Sequence, residues 1–354
     1  MKRRNSAFRL RKRYLAYILG AIFAVLAFVF LYRSMRKWEL ASGKLPADAY
    51  SSKAPYDGFE DDDPYANDDR PQTYYQGDLY TLRENVETVL FIGIDKYEDQ
   101  LGEDDAYRNM QQSDFLMLLV LDHGAESCTA LHINRDIMGE IRVLDIKGKP
   151  VSTYEGQLAL SHTYGSGGKD SCENTVWTVS RLLYGTAIDH YIAFTMDAVP
   201  ELNDAVGGVT VTVKGDFSAV DPELREGETV TLTGDQALTY VRSRRYLADS
   251  TNLSRMERQR DFLYSFYNEV KAQKESDSRL PAEIVMSISK YMTSDCSVSE
   301  LSDIAESIAD YSLDRVEDIE GESVRGEKYM EYYVDEKALT EQVLELLYEK
   351  EEEK

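Results

Sequence analysis

The chain has 354 residues, 43% hydrophobic and 29% charged, with a formal net charge of −24 and a pI near 4.6. That length suits one large domain or two small ones around a sizeable core. The acidity argues against general nucleic-acid binding, which calls for a basic domain.

The first 13 residues hold Lys2, Arg3, Arg4, Arg9, Arg11, Lys12 and Arg13. Then "YLAYILGAIFAVLAFVFLY", Tyr14–Tyr32, runs without a charge. It has the ~20 residues that a helix needs to cross a bilayer core. Positive charge is heavier before the run than after it, where Arg33, Arg36 and Lys37 follow. The pattern predicts a basic cytoplasmic tail at 1–13, a transmembrane helix at 14–32, and everything beyond Trp38 outside the cell membrane. A cleaved signal peptide competes with this reading, but the run is long for one and no clear A-x-A site follows closely. A buried core helix also competes, although a basic flank beside an apolar run suits a bilayer better.

Residues 33–85 read as an acidic stalk. They include "FEDDDPYANDDRPQ", Phe59–Gln72, too poor in apolar side chains to offset its ordering entropy. Cys128, Cys172 and Cys296 have no CxxC or zinc-ligand spacing and read as isolated small side chains. A Cys128–Cys172 disulfide is the alternative.

The folded part is expected over 86–349, with 350–354 as a charged tail. "ETVLFIGID", "DFLMLLVLD" and "SCTALHINRD" are nearly continuous apolar runs, as central strands covered on both faces should be. "DHGAES" suggests a hairpin turn between the last two. Helices are expected over 174–183 and 198–205, with a strand over 189–196 and another over 209–215. "TGDQALTYVR" reads as a helix capped by Thr233. Further helices are expected over 255–273, 282–292, 299–311 and 337–349, with a strand at "EYYVD". Strands alternating with helices imply an α/β fold: a three-layer α-β-α sandwich with a mixed central sheet.

Two groups of residues could carry chemistry. Asp114 opens one central strand and Asp136 closes the next. An antiparallel hairpin would bring them to the same sheet edge, where paired carboxylates suit Mg²⁺ and a substrate phosphate. The bland alternative is a pair of cap or turn residues. The second group is "YVRSRRYLADSTNLSRMERQR", Tyr240–Arg260, with six arginines among 21 residues of an acidic protein. Arg242 and Arg244 lie at and just after a helix end; Arg255, Arg258 and Gln259 share the first turn of the next helix. Arginine beside the positive end of a helix dipole is misplaced unless an anion sits there, and guanidinium forks suit phosphate. A solvated, acid-paired face is the alternative. "YGSGGKD" lacks Walker spacing and reads as a loop, and no HExxH or GxSxG occurs.

In order, "SDFLMLLVLD", "ALHINRDIM", "LSHTYGSGG", "IDHYIAFTMDAVPELNDAVGGVTVTV", "LTGDQALTYVRSRR" and "SRMERQRDFL" resemble the LytR–CpsA–Psr family over residues 86–348. The resemblance implies a membrane-anchored enzyme of cell wall assembly. It would move an anionic glycopolymer, such as teichoic acid or capsular polysaccharide, from a polyprenyl-pyrophosphate carrier to peptidoglycan, forming a phosphodiester. It implies Mg²⁺, with Mn²⁺ as a substitute, held by Asp114 and Asp136. It implies pyrophosphate binding by Arg135, Arg242, Arg244, Arg255, Arg258 and Gln259. Asp114, Asp136, Arg135 and Arg244 would be catalytic, with pyrophosphatase activity as a side reaction. Phe194, Trp177 and Leu183 could line a lipid slot, though core packing is the simpler role for each. The chain departs from the family pattern at Gln112, Asn134, Ala159 and Ser254, where Arg, Pro, Lys and Gly are usual. Lys169 or Lys147 could stand in for the missing Lys. A non-catalytic binder of polyprenyl-phosphate lipids is the rival reading; a transcription regulator would need a cytoplasmic module that the short basic tail does not supply.

Overall fold

The computed structural model describes residues 70–95, 110–244 and 247–351. The expected basic tail and transmembrane helix lie outside these residues. Among the described residues, no helix is long and apolar enough to cross a membrane. The described parts of 54–183 and 188–354 belong to one compact unit.

Two strands lie inside the stretch expected as stalk up to residue 85. Strands β1 (Gln72–Tyr75) and β2 (Asp78–Leu82) pair antiparallel around Gln76 and Gly77, at φ 54° and 95°. Two left-handed residues give the tight turn whose twist matches its strands. Next come β3 (Val86–Ile94), β4 (Ser113–Asp122), β5 (Ser127–Ile133), β6 (Met138–Leu144) and β7 (Pro150–Gln157). A 3₁₀ turn, Leu158–Thr163, leads to α1 (Lys169–Leu182), β8 (His190–Thr195) and α2 (Ala198–Ala205). Short strands β9 (Thr210–Thr212) and β10 (Thr229–Thr231) precede α3 (Gly234–Arg242), α4 (Asn252–Lys274) and α5 (Leu280–Ile288). The chain continues through β11 (Met292–Ser294), α6 (Val298–Asp310), β12 (Ser312–Asp318), β13 (Gly321–Arg325) and β14 (Met330–Val334). It closes with α7 (Glu336–Leu347) and β15 (Tyr348–Lys350), which pairs with β2. The helix starts at 174 and 255 thus move forward to Lys169 and Asn252, and the tail expected at 350–354 begins inside a strand.

The central sheet is mixed, in the order β11-β8-β3-β4-β5-β12. The β3–β4, β4–β5 and β8–β11 pairs are antiparallel, while β3–β8 and β5–β12 are parallel. The strands are apolar on both faces because both are covered. Leu90, Ile92, Leu116, Leu118 and Leu131 are sealed in the core. Their neighbours Phe91, Phe115, Met117 and Leu119 face Phe262, Phe266, Ile284, Leu301 and Ile304 of α4, α5 and α6 across an apolar cavity of about 230 Å³. A second core packs α3 and α4 against β9 through Phe217, Tyr240, Val211 and Phe262.

Candidate active site

The expected hairpin is present, with Leu116 opposite Ile133 and Asp122 opposite Ser127. Its register carries Asp114 and the Arg135–Asp136 pair to one end of the sheet, where β3 also ends. A register shift between Gly93 and Ile94 breaks the β3–β4 ladder there. Such irregularities re-aim side chains at strand ends. Gly93 is required by the close approach of β4: a Cβ would lie 2.8 Å from Cβ of Phe115.

Asp114 and Asp136 do reach the same edge, but Arg135 stands between them. Its Nη1 forms an ion pair with Oδ1 of Asp114, and its Nε lies 3.4 Å from Oδ1 of Asp136. Its Nη2 donates to Gln112 Oε1 at 2.6 Å. On the far side, Arg255 Nη1 donates to Asp114 Oδ2 at 3.1 Å and Nη2 donates to the Asp114 carbonyl at 3.2 Å. Asp114 therefore holds two guanidiniums. Asp136 accepts from Gln157 Nε2 at 2.9 Å on the oxygen that faces Arg135. Its Oδ2 stays uncommitted among the described residues.

The N-terminus of α4 explains how Arg255 can sit where it does. Thr251 caps the helix through the Ser254 N–H, and the first turn contains no acidic residue. The anion that the helix end and Arg255 demand comes from Asp114, across the sheet edge. Asn252 completes the fixture, accepting from Arg255 Nη2 at 2.6 Å and donating to Asn134 Oδ1 at 2.8 Å. Arg258, 1% exposed, is committed to main chain rather than to any carboxylate. It donates to the carbonyls of Tyr240 and Ser243 and to Ser254 Oγ, lashing the end of α3 to the start of α4. Gln259 Nε2 donates to the Val241 carbonyl at 3.2 Å, while its buried Oε1 has no hydrogen bond.

Arg242 and Arg244 are placed differently. Arg242 ends α3, its side chain 44% exposed, with Nη2 3.5 Å from Asp95 Oδ1. Arg244 is partly exposed and forms no ion pair among the described residues. Burial first, and then the neighbouring Arg255, pull the Arg135 guanidinium down to about 10. Burial, followed by the charge of Arg244, does the same to Arg255. Crowded guanidiniums that depress one another mark a place short of negative charge. Beneath them His132 is fully enclosed, and burial pushes it down to about 3.

Sequence reasoning missed Asp95, Gln157 and Asn252. Asp95 was visible as the last residue of "FIGID"; its N–H donates to the Gln112 carbonyl at 2.9 Å, beside Asp114. The positions that depart from the family pattern have definite partners. Gln112 accepts a hydrogen bond from Arg135, Asn134 accepts from the Asp136 N–H, and Ser254 accepts from Arg258. Ala159 is fully buried and bonded through its N–H to the Arg135 carbonyl. Lys169 opens α1, and Lys147 lies in the exposed turn of the β6–β7 hairpin.

The apolar cavity reaches toward this charge. A second, smaller cavity of about 70 Å³ is lined by Phe115, Phe194, Leu202, Phe262, Arg242, Arg255 and Gln259, and shares the first four with the main cavity. Of the expected slot residues, Phe194 lines it. Trp177 instead stacks under Arg142, 4.5 Å from its guanidinium, and Leu183 is 1% exposed in the core.

The LytR_cpsA_psr family profile matches residues 53–348. A curated relative from Halalkalibacterium halodurans, polyisoprenyl-teichoic acid--peptidoglycan teichoic acid transferase TagU, is 34% identical over 179 residues, 50% of each chain. The chain thus spans about half the length of the curated relatives it matches. A solved protein from Streptococcus agalactiae has a TM-score of 0.58 at 21% identity, covering 74% of this chain and 88% of that one. TagV of Bacillus subtilis has 0.54 at 21% identity, covering 75% and 96%. At that identity the likeness is one of fold. With the profile spanning most of its length and the sheet shared with these structures, this chain belongs to the LytR_cpsA_psr family.

Proposed function

We propose that the protein transfers an anionic glycopolymer from a polyprenyl-pyrophosphate carrier to peptidoglycan, with its folded part outside the membrane and residues 14–32 as the anchor. The observation that carries this reading is an apolar cavity beside a smaller one that shares its Phe115 and Phe194 wall and is also lined by Arg242, Arg255 and Gln259. An apolar chain with an anionic head matches both parts of that space. The half-exposed Arg242 and Arg244 would meet the incoming pyrophosphate first. Arg135 and Arg255 would neutralise charge developing on its oxygens, which is most of what phosphoryl transfer asks of a protein. The TagU name of the relative supports the same substrates.

The acceptor hydroxyl oxygen attacks the phosphorus that carries the sugar. The bond to the bridging oxygen breaks, and polyprenyl phosphate leaves with the electron pair. Asp136, with one oxygen uncommitted, is the better placed of the two acids to take the hydroxyl proton. Asp114, engaged by two guanidiniums, orients them instead. For Mg²⁺ the site offers Asp136 Oδ2 in place of its base role, and Asp114 Oδ1 could join only if the Arg135 guanidinium moved off it. A bound Mg²⁺ would add positive charge against the phosphate oxygens.

The test incubates the full chain in detergent with a polyprenyl-pyrophosphate saccharide, Mg²⁺ and a peptidoglycan oligomer. A phosphodiester-linked product that Asp136→Ala abolishes is expected. Lipid binding without product would favour the non-catalytic binder, and no lipid binding would overturn both readings.

A further inference from the structure

At the other end of the central sheet lies a second cluster that the transfer reaction does not use. β8 begins there with His190, parallel to β3, whose second residue is Glu87. β11 runs antiparallel to β8 and delivers Asp295 and Cys296 to the same corner. His190, Asp295 and Cys296 each offer a ligand atom, all within 4.8 Å of one another. Nδ1 of His190 is 3.8 Å from Asp295 Oδ1, is buried, and makes no hydrogen bond. The sulfur is 3.8 Å from the same oxygen.

Two features look beyond a chance meeting of polar side chains. Glu87 Oε1 sits 3.5 Å from the opposite ring nitrogen, Nε2. Asp295 and then Cys296 push His190 up to about 10, so a cation binding at Nδ1 would displace a proton that those same two side chains now hold. Glu87 is itself held by His123 Nε2 at 3.0 Å. The acid and the thiol are also preset by main chain. Asp295 Oδ1 accepts the Tyr191 N–H at 3.0 Å, and the Cys296 N–H donates to Ser294 Oγ at 3.1 Å.

We propose that His190, Asp295 and Cys296 form a binding site for a borderline-soft divalent cation of the Zn²⁺ type. One nitrogen, one carboxylate oxygen and one thiolate, with water in a fourth position, is a donor set such ions accept. Bonds of about 2.0–2.3 Å put tetrahedral ligands roughly 3.3–3.8 Å apart, so the three atoms need to close only slightly. A hard ion such as Mg²⁺ would gain little from sulfur. The ion would pin the β8–β11 edge and the start of α6, far along the strands from the arginines.

The test strips the full-length protein of metal and titrates it with Co²⁺. A thiolate-to-cobalt charge-transfer band that saturates at one ion per chain is expected. Zn²⁺ should bleach it, and a hundredfold excess of Mg²⁺ should leave it unchanged. Cys296→Ser and His190→Gln should lose the band, while Arg244→Ala keeps it. A wild-type protein with no such band overturns the site, whether or not the variants fold. A band undiminished in Cys296→Ser also overturns it, and would leave His190 as a residue bracketed by two carboxylates.

Discussion

The start of α4 and the end of α3 use the same side chain for opposite purposes. Arg255 and Arg258 are 2% and 1% exposed, and most of their donor hydrogens are committed to Asp114, Asn252, Ser254 and main-chain carbonyls. Arg242 and Arg244, one helix end away, are partly open to solvent. A guanidinium surrounded by fixed acceptors fastens the fold; under the proposed transfer, the two facing solvent would meet the pyrophosphate first, with Arg255 behind them. Arg258 adds to the arginine density of the segment while its donors go to carbonyls and Ser254. Arg258, bound to the Tyr240 and Ser243 carbonyls, fixes the backbone on either side of Arg242.

The comparison breaks most visibly at Asp114. Asp114→Ala should cost about 3–5 kcal/mol in denaturant unfolding, because it strands two buried guanidiniums. An Asp114/Arg255 double-mutant cycle should show strong coupling, and near-additivity would refute the pairing. Arg258→Ala should cost about 2–4 kcal/mol through its orphaned carbonyls. Arg258→Lys should not restore this, since a single ammonium cannot reach three separated acceptors.

A smaller effect depends on pH. His132 has a folded value of about 3 against an ordinary value of 6.5, so the unfolded chain takes up the proton first. Its contribution to stability is complete above pH 6.5 and is lost as pH falls toward 3. The slope is at most about 1.4 kcal/mol per pH unit. The difference between wild type and His132→Asn should be flat above pH 7 and converge on acidification. The smallest stability change belongs to Arg244→Ala, within about 0.5 kcal/mol of wild type. Yet pyrophosphate-lipid binding, followed by calorimetry, should weaken at least about tenfold. Unchanged binding would remove Arg244 from the pair that meets the pyrophosphate.

Much of this was legible in the sequence where periodicity and burial agree. The β4–β5 hairpin, and with it the meeting of Asp114 and Asp136, followed from two apolar runs and one turn. The β1–β2 hairpin did not, because its turn opens with Gln76 rather than Asn or Gly at positive φ, and its strands carry three Tyr and little else that is apolar. Strand β13 and most of β7 are exposed and lack the apolar alternation that betrays a strand, whereas "EYYVD" did announce β14. Asp95 looked like an ordinary strand-end acid until the shift at Gly93 turned it toward Arg242. Arg258 was unreadable for another reason: a guanidinium facing carbonyls has the same sequence signature as one facing phosphate.

The β13–β14 hairpin has a consequence for how Asp136 can be dissected. Tyr332 of β14 donates its N–H to the Asp136 carbonyl at 2.9 Å, and Ile137 bridges to Tyr332. Gln157 spans the Asp136 carboxylate and the Met330 carbonyl at 2.8 Å. The acid is thus sutured to an outer ribbon by its main chain, whatever its ionisation. Position and charge are separable variables at this residue. Asp136→Asn should leave the backbone where it is and delete only the charge, whereas at Asp114 the same substitution would alter both.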